Sequence, residues 1–372
     1  MTSLRKSNER LEISQALHEA VNTHGSHPEG INIDDCGNRL LASIMMVDIL
    51  DIIDELKKSK REIFFPYSTG KFGGKVENIN STILGDRIIR ALLALYSRAY
   101  LSFDGHRRHP LIELFCQEAE RSHLPEGVYA LKSLRPEIAN ILVYRLNNFV
   151  DFIREAAKSP VVRKQIKDHL RSSQKNELEL SRQIDQIFLR YSRVMVLRID
   201  LGYRKAYTAK FAESPYQLLD EVTSHREKFL KRMRETVLKE CWISYAWKLE
   251  YGPDKSFHYH FLIFLDSSRV RQDVTIAKLI GEYWKDEVTQ GEGVYFNCNA
   301  KKEQYTHRGI GIFGYENQVA INNLKTWVIA YLCKRDRYIR LFLKDGLRTF
   351  GKGEKIKPSA SCAGRPRSKT PS

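Results

Sequence analysis

WISYAWKLEYGPDKSFHYHFLIFL, Trp242 to Leu265, decides how this chain folds. Its first half alternates: Ile243, Tyr245, Trp247, Leu249 and Tyr251 are apolar, while Ser244, Ala246, Lys248 and Glu250 between them are small or polar. Successive strand residues point to opposite sheet faces, so this is a strand with two unlike faces. GPDKS is a turn centred near Asp254. Beyond it Phe257, Tyr259, Phe261 and Ile263 form the apolar set of a second strand, with His258 and His260 opposite. Antiparallel pairing about the turn sets Glu250 across from His258 and Lys248 across from His260, with Cβ atoms about 5 Å apart.

The neighbours extend the pattern. RVMVLRIDL, Arg193 to Leu201, is a strand with Met195, Leu197, Ile199 and Leu201 on one face and Arg198 and Asp200 on the other. YQLLDEVTSHREKFLKRMRETVLKE and RQDVTIAKLIGEYWKDEV have helical spacing, GVYFNCN is a short strand, and AINNLKTWVIAYLCKRDRYIRLFLK is a final helix. The order β-α-β-β-α-β, plus a C-terminal helix, predicts an α+β fold with an antiparallel ferredoxin-like or RRM-like sheet. One face is expected to carry the helices, and the other to stay open with the polar groups on it. The first strand should lie beside the third and bring Asp200 toward His258.

Residues 1–189 read as a mostly helical N-terminal region. RLLASIMMVDILDIIDEL and GDRIIRALLALYSRAYL have helical periodicity, and Pro136 and Pro160 stand where helices start. Residues 190–345 form the sheet domain, and 346–372, rich in Gly, Ser, Pro, Lys and Arg, read as a disordered basic tail. The net charge of +16 favours a polyanionic partner, nucleic acid before a membrane surface. No apolar run is long enough to span a bilayer, and the polar start shows no secretion signal. Six scattered cysteines without a C-x-x-C pair fit a reducing cytoplasm rather than a disulfide framework or zinc finger.

Two imidazoles and one or two carboxylates converging at one end of a sheet suit a divalent ion such as Mg²⁺ or Mn²⁺. Eleven histidines in 372 residues make a chance H-x-H commonplace, so core histidines and metal ligands both stay open on the motif alone. On the final helix Tyr331 and Lys334 are three residues apart and share a face, with Arg335 following. A tyrosine beside a cation and near a metal suits attack on a phosphodiester. Tyr-x-x-Lys is also a common pattern, and Tyr331 as a core residue is the bland reading.

H-aromatic-H on the third strand, followed by Tyr-x-x-Lys on a later helix, resembles the HUH endonucleases: rolling-circle replication initiators, relaxases and related transposases. From RVMVLRIDLGY through HYHFLIFLD to AYLCKRD, roughly residues 190 to 345, the chain is similar to the inovirus-type replication proteins of prophages, the YagK/YfjJ-like group. The resemblance implies His258 and His260 as metal ligands with Glu250 as the acidic ligand, Tyr331 as nucleophile and Lys334 as its helper. It implies nicking of single-stranded DNA at a replication origin, a 5′-phosphotyrosine link, a free 3′-hydroxyl that primes synthesis, and rejoining after one round. Host replication machinery is an implied partner. Tyr338, seven residues on, is a candidate second nucleophile of the kind some phage initiators use.

Arg198, Lys248 and Arg335 are candidate contacts to a DNA strand on the open face. GKFGGKV (Gly70 to Val76) is one residue short of a P-loop and reads as a glycine loop; DGHRRH (Asp104 to His109) reads as a solvated turn. The alternative function is a non-catalytic DNA- or RNA-binding regulator on the same scaffold. His258, His260 and Tyr331 together favour the enzyme, since binding alone needs none of them.

Overall fold

The structure, a computed structural model, describes residues 33–67, 79–96, 106–130, 135–211, 215–252, 256–333, 339–341 and 348–354. The chain forms two units, Met1–Ser172 with Arg335–Arg340, and Ser173–Lys334 with Leu341–Ser372.

The first unit is helical. Helices α1 (Ile33–Lys58), α2 (Ile83–Tyr96), α3 (Pro110–Arg121), α4 (Leu124–Tyr129) and α5 (Pro136–Ala156) bury one continuous core that includes Ile49, Ile88, Phe115 and Phe149. Pro136 opens α5 and Pro160 opens α6 (Pro160–Arg190), as their fixed φ and missing N–H favour. Short strands β1 (Phe64–Phe65) and β2 (Asn80–Ser81) pair with each other. Asn147 on α5 holds β1, accepting from the Phe64 N–H at 3.3 Å and donating to its carbonyl at 2.8 Å. DGHRRH is no solvated turn where it is described: His106–Arg108 is strand β3, and buried His109 caps α3 by accepting from the Leu111 N–H. Asp104, Gly105 and the GKFGGKV stretch lie outside the described residues.

The second unit is built on a six-stranded antiparallel sheet. Its strands are β4 (Arg193–Tyr203), β5 (Trp242–Gly252), β6 (Ser256–Asp266), β7 (Gly293–Asn297) and β8 (Gly311–Gly314), with β10 (Phe350–Lys352) joining from the chain's end after β9 (Ile339–Leu341). The order is β10-β5-β6-β4-β7, and β8 also pairs with β4. Between β4 and β5 come the short α7 (Lys205–Ala209) and α8 (Pro215–Arg232); α9 (Asp273–Tyr283) lies between β6 and β7, and α10 (Gln318–Asn323) follows β8. Each of α8, α9 and α10 runs on into a π-helical turn, Met233–Val237, Trp284–Val288 and Leu324–Ile329 respectively. No helix among the described residues is long and apolar enough to cross a membrane.

One face takes the apolar alternation. Leu197, Ile199, Trp247, Leu249, Tyr259 and Phe261 pack under α8 and α9, around buried Phe229 and Trp284. The other face is not open. Val194, Val196, Ala246, Leu262 and Phe264 are covered by Leu180, Ile184 and Phe188 of α6 and by Leu324, Ile329 and Leu332. The reason is visible on each strand: the second face is itself apolar toward one end, so it needs its own helical cover. Only the other end, from Arg198 and Asp200 across His258 and His260 to Lys248 and Glu250, is polar.

Two further expectations change. The basic tail contributes a strand, since Phe350–Lys352 pairs with Lys248–Ala246; residues 355–372 lie outside the described residues. The final helix does not reach Lys344. Among the described residues it runs to Cys333, and Ile339–Leu341 is strand β9, paired with β3. Apolar residues at 338, 339, 341, 342 and 343 satisfy either period, so the sequence alone did not separate helix from strand there.

β7 and β8 occupy the same edge of β4 at different heights, Ile199–Tyr203 and Arg193–Val196. The gap between them is closed by one side chain. Buried Asn299 accepts from the Arg198 N–H at 2.9 Å and donates to the Val196 carbonyl at 3.0 Å, as a strand would. Asn299→Ala should strand both backbone groups, at about 1–3 kcal/mol for each. Urea unfolding of this variant should show a lower midpoint than that of the unaltered protein.

Candidate metal centre

β6 is the central strand, and its polar residues see both neighbours. The pairing sets His258 opposite Glu250 and His260 opposite Lys248, as the hairpin reading requires. On the other side His260, not His258, faces Asp200, one pair further along than expected. Glu250, His258 and His260 are buried, and their ligand atoms lie within 4.8 Å of one another.

The two imidazoles are held by their Nδ1 atoms. His258 donates from Nδ1 to the Ser256 carbonyl at 3.2 Å. Ser256 sits in the left-handed region (φ 53°), a conformation non-glycine residues seldom adopt, and it turns that carbonyl toward the ring. His260 donates from Nδ1 to Asp200 Oδ1 at 2.6 Å. Both partners can only accept, so each Nδ1 carries the proton and each Nε2 presents its lone pair when the ring is neutral. Glu250 Oε2 lies 3.7 Å from His258 Nε2 and 3.4 Å from His260 Nε2. Buried His260 Nε2 makes no hydrogen bond. Ligands about 2.1 Å from one ion stand about 3.0–3.5 Å apart, so this donor set fits a divalent cation with little movement. A carboxylate or carbonyl behind each ligating histidine is the usual outer shell of such a site.

Burial alone would lower the His260 pKa, but Asp200 and Glu250 outweigh it and hold the imidazolium above its ordinary range. A cation must displace that proton.

Tyr331 stands beside the triad. Its ring meets His260 edge-on at 5.4 Å between centroids, and the Arg198 guanidinium lies 4.0 Å above its face. Arg198 Nε is 3.8 Å from Asp200 Oδ1, which links this cation to the His260 anchor. Burial raises the phenol well above its ordinary pKa; Arg198 pulls the other way without offsetting it. The chain's own residues therefore keep Tyr331 protonated at neutral pH.

Arg198 and Lys248 were expected on an open face and are not. Arg198 is half-buried with its guanidinium over Tyr331, and Lys248 is 2% exposed, with Nζ 3.4 Å from Thr349 Oγ1. The helical cover on the second face and the added strand β10 account for both. Lys334, Arg335 and Tyr338 lie outside the described residues.

Three participants escaped the sequence reading. Cys298, Tyr305 and Asn299 come from the 3₁₀ segment Cys298–Gln304 and the residue after it, where no periodicity marks a face. Burial pushes the Cys298 thiol up to about 12, so it is an inert neighbour of Arg198 and Asp200.

Calorimetric titration with Mn²⁺ should show binding that Glu250→Gln or His258→Ala weakens at least tenfold. Affinity should fall as pH drops below the raised His260 pKa, by about tenfold per unit for one displaced proton. Without metal the sign reverses. His260 stabilises the apo fold below its unfolded value near 6.5, and that contribution is lost as pH rises through the higher folded value.

No curated protein and no solved structure matches the chain. The family described as YagK/YfjJ C-terminal domain matches residues 161–353, which takes in α6, the whole sheet, the histidine–glutamate triad and Tyr331. That span is more than half of the 372 residues, and the chain belongs to the YagK/YfjJ C-terminal domain family.

Proposed function

We propose that this protein is a metal-dependent DNA nickase and strand transferase of the HUH type, acting on single-stranded DNA at the replication origin of a phage or prophage. One observation carries the reading: a tyrosine on a separate helix packs edge-on against a histidine of a two-histidine, one-carboxylate cluster. A structural metal site has no need of that neighbour. The strand order β5-β6-β4-β7, all antiparallel, with helices between first and second and between third and fourth strands, supports a ferredoxin-like scaffold. Such a scaffold is what an HUH enzyme uses.

In this reading Glu250, His258 and His260 would hold Mg²⁺ or Mn²⁺. The bound cation supplies the positive charge that makes a phenolate accessible and a phosphodiester electrophilic. The chain supplies the rest. His258 and His260 keep their lone pairs aimed inward through their Nδ1 anchors. Arg198 fixes the Tyr331 ring, and its positive charge favours loss of the phenol proton. Tyr331 Oη forms a bond to phosphorus and the bond to the 3′ oxygen breaks. The phenol loses its proton as the 3′ oxygen gains one. The protein then carries the 5′ phosphate on Tyr331, and attack by a 3′-hydroxyl reverses the step.

Incubation with Mn²⁺ and labelled single-stranded oligonucleotides tiled across candidate origins should give a covalent adduct stable to denaturation. Tyr331→Phe and chelation should each reduce it at least a hundredfold. An adduct of equal yield from Tyr331→Phe, or none from the unaltered protein on any oligonucleotide, would sink the catalytic reading and leave a non-catalytic binding protein.

A further inference from the structure

The segment Tyr305–Gly309, between the 3₁₀ turn and β8, carries aromatic groups that nothing above uses. His307 lies flat on Trp327, with ring centroids 4.2 Å apart and planes within 6°. His307 is exposed, so the outer face of this stack meets solvent, whereas Trp327 is half-buried. Trp327 precedes Tyr331 by four residues on one helix, close to one turn, and these two are the half-buried positions in a stretch whose other members are buried.

The segment is pinned rather than draped. Asn323 Nδ2 donates to the Arg308 carbonyl at 3.1 Å. Gly309 lies so close to the helix that a Cβ there would fall 2.5 Å from the Leu324 nitrogen. At the other end, burial raises the Tyr305 phenol, which sits by Cys298 and Arg198, the same arginine that covers Tyr331. The segment therefore runs from Tyr305, near the arginine that covers Tyr331, to the exposed ring of His307 stacked on Trp327, one helical turn before Tyr331. Lys301, exposed, and Arg308, half-exposed and paired with Glu303, put cations on the same segment.

We propose that the His307–Trp327 stack is a base-stacking platform, which receives a nucleobase of single-stranded DNA next to the phosphate presented to Tyr331. The proposal rests on the nickase reading for its ligand. An unstacked base needs a flat π-face within a nucleotide or two of the reacting phosphate, with cations for the backbone, and this segment supplies both. A duplex keeps its bases stacked on one another and has none to offer.

The test is fluorescence anisotropy with a labelled dT15 strand, in Mn²⁺, on the full chain carrying Tyr331→Phe so that no covalent link forms. Adding His307→Ala should weaken binding at least about fivefold. The slope of log affinity against log salt should stay unchanged, because a stacked ring neutralises no phosphate. His307→Phe should restore binding and His307→Leu should not. Quenching of tryptophan emission on binding should shrink in Trp327→Phe. The platform is refuted if His307→Ala binds as tightly as its parent, if His307→Leu restores binding, or if the loss appears as a shallower salt slope. If the parent binds no dT15 even at low salt, both the platform and its single-stranded substrate are wrong; loss of the platform alone leaves the nickase standing.

Discussion

The register of β6 against its two neighbours is the constraint on which the rest of the second unit depends. β6 pairs with β5 from Ser256 to Leu265 on one side and with β4 from Tyr259 to Asp266 on the other. A slip of one residue would turn Tyr259 and Phe261 out of the core beneath α8 and α9 and drive His258 and His260 into it. Burying unpaired imidazole nitrogens in that apolar layer costs several kcal/mol. The same register that packs the core therefore places the triad, and neither can shift without the other.

Polar groups on a covered face need partners, and the polar end of the sheet is organised around that need. Asp200 serves His260 and lies near Arg198; Arg198 lies over Tyr331; Asn299 closes the strand gap at Arg198 and at the same time donates to Asp273, which holds Lys302. What this network leaves without a hydrogen bond is informative. Nε2 of His260 is buried and turned toward a carboxylate and a second histidine. Native proteins pair such atoms almost without exception. A cation is the partner that would satisfy all three donors together.

Much of this was legible in the residues, and the limits of legibility are physical. The alternation from Trp242 to Leu265 has period two on both sides of a Pro-Asp turn, so strands, turn and the Glu250–His258 pairing follow from local pattern. The covering of the second face does not. It is imposed by Val194, Val196, Ala246, Leu262 and Phe264, which alternation assigns to the polar face but which are apolar or small and cluster at one end once the strands are in register. Cys298, Tyr305 and His307 occupy a segment with no repeat, where only tertiary packing fixes direction. The strand at Ile339–Leu341 was decided by pairing with β3, far away in sequence, which a local period cannot report.

Tyr331 also shows why an apo site of this kind would be quiet. Its phenol is held protonated by burial, and the Arg198 cation over its ring has Asp200 as a neighbour. The Arg198 charge beside the ring is thus offset by Asp200, and the tyrosine gains little by ionising. On the nickase reading, reactivity has to arrive with the metal, and the phosphate must be brought to a half-buried ring rather than to an exposed one. An extended single strand can do that by lifting one nucleotide at a time onto the helix that carries Tyr331. A duplex is a stiff stacked rod, and lifting one of its nucleotides into such a site costs unstacking and bending energy. Burial of the nucleophile would then select the form of the substrate before any base is read.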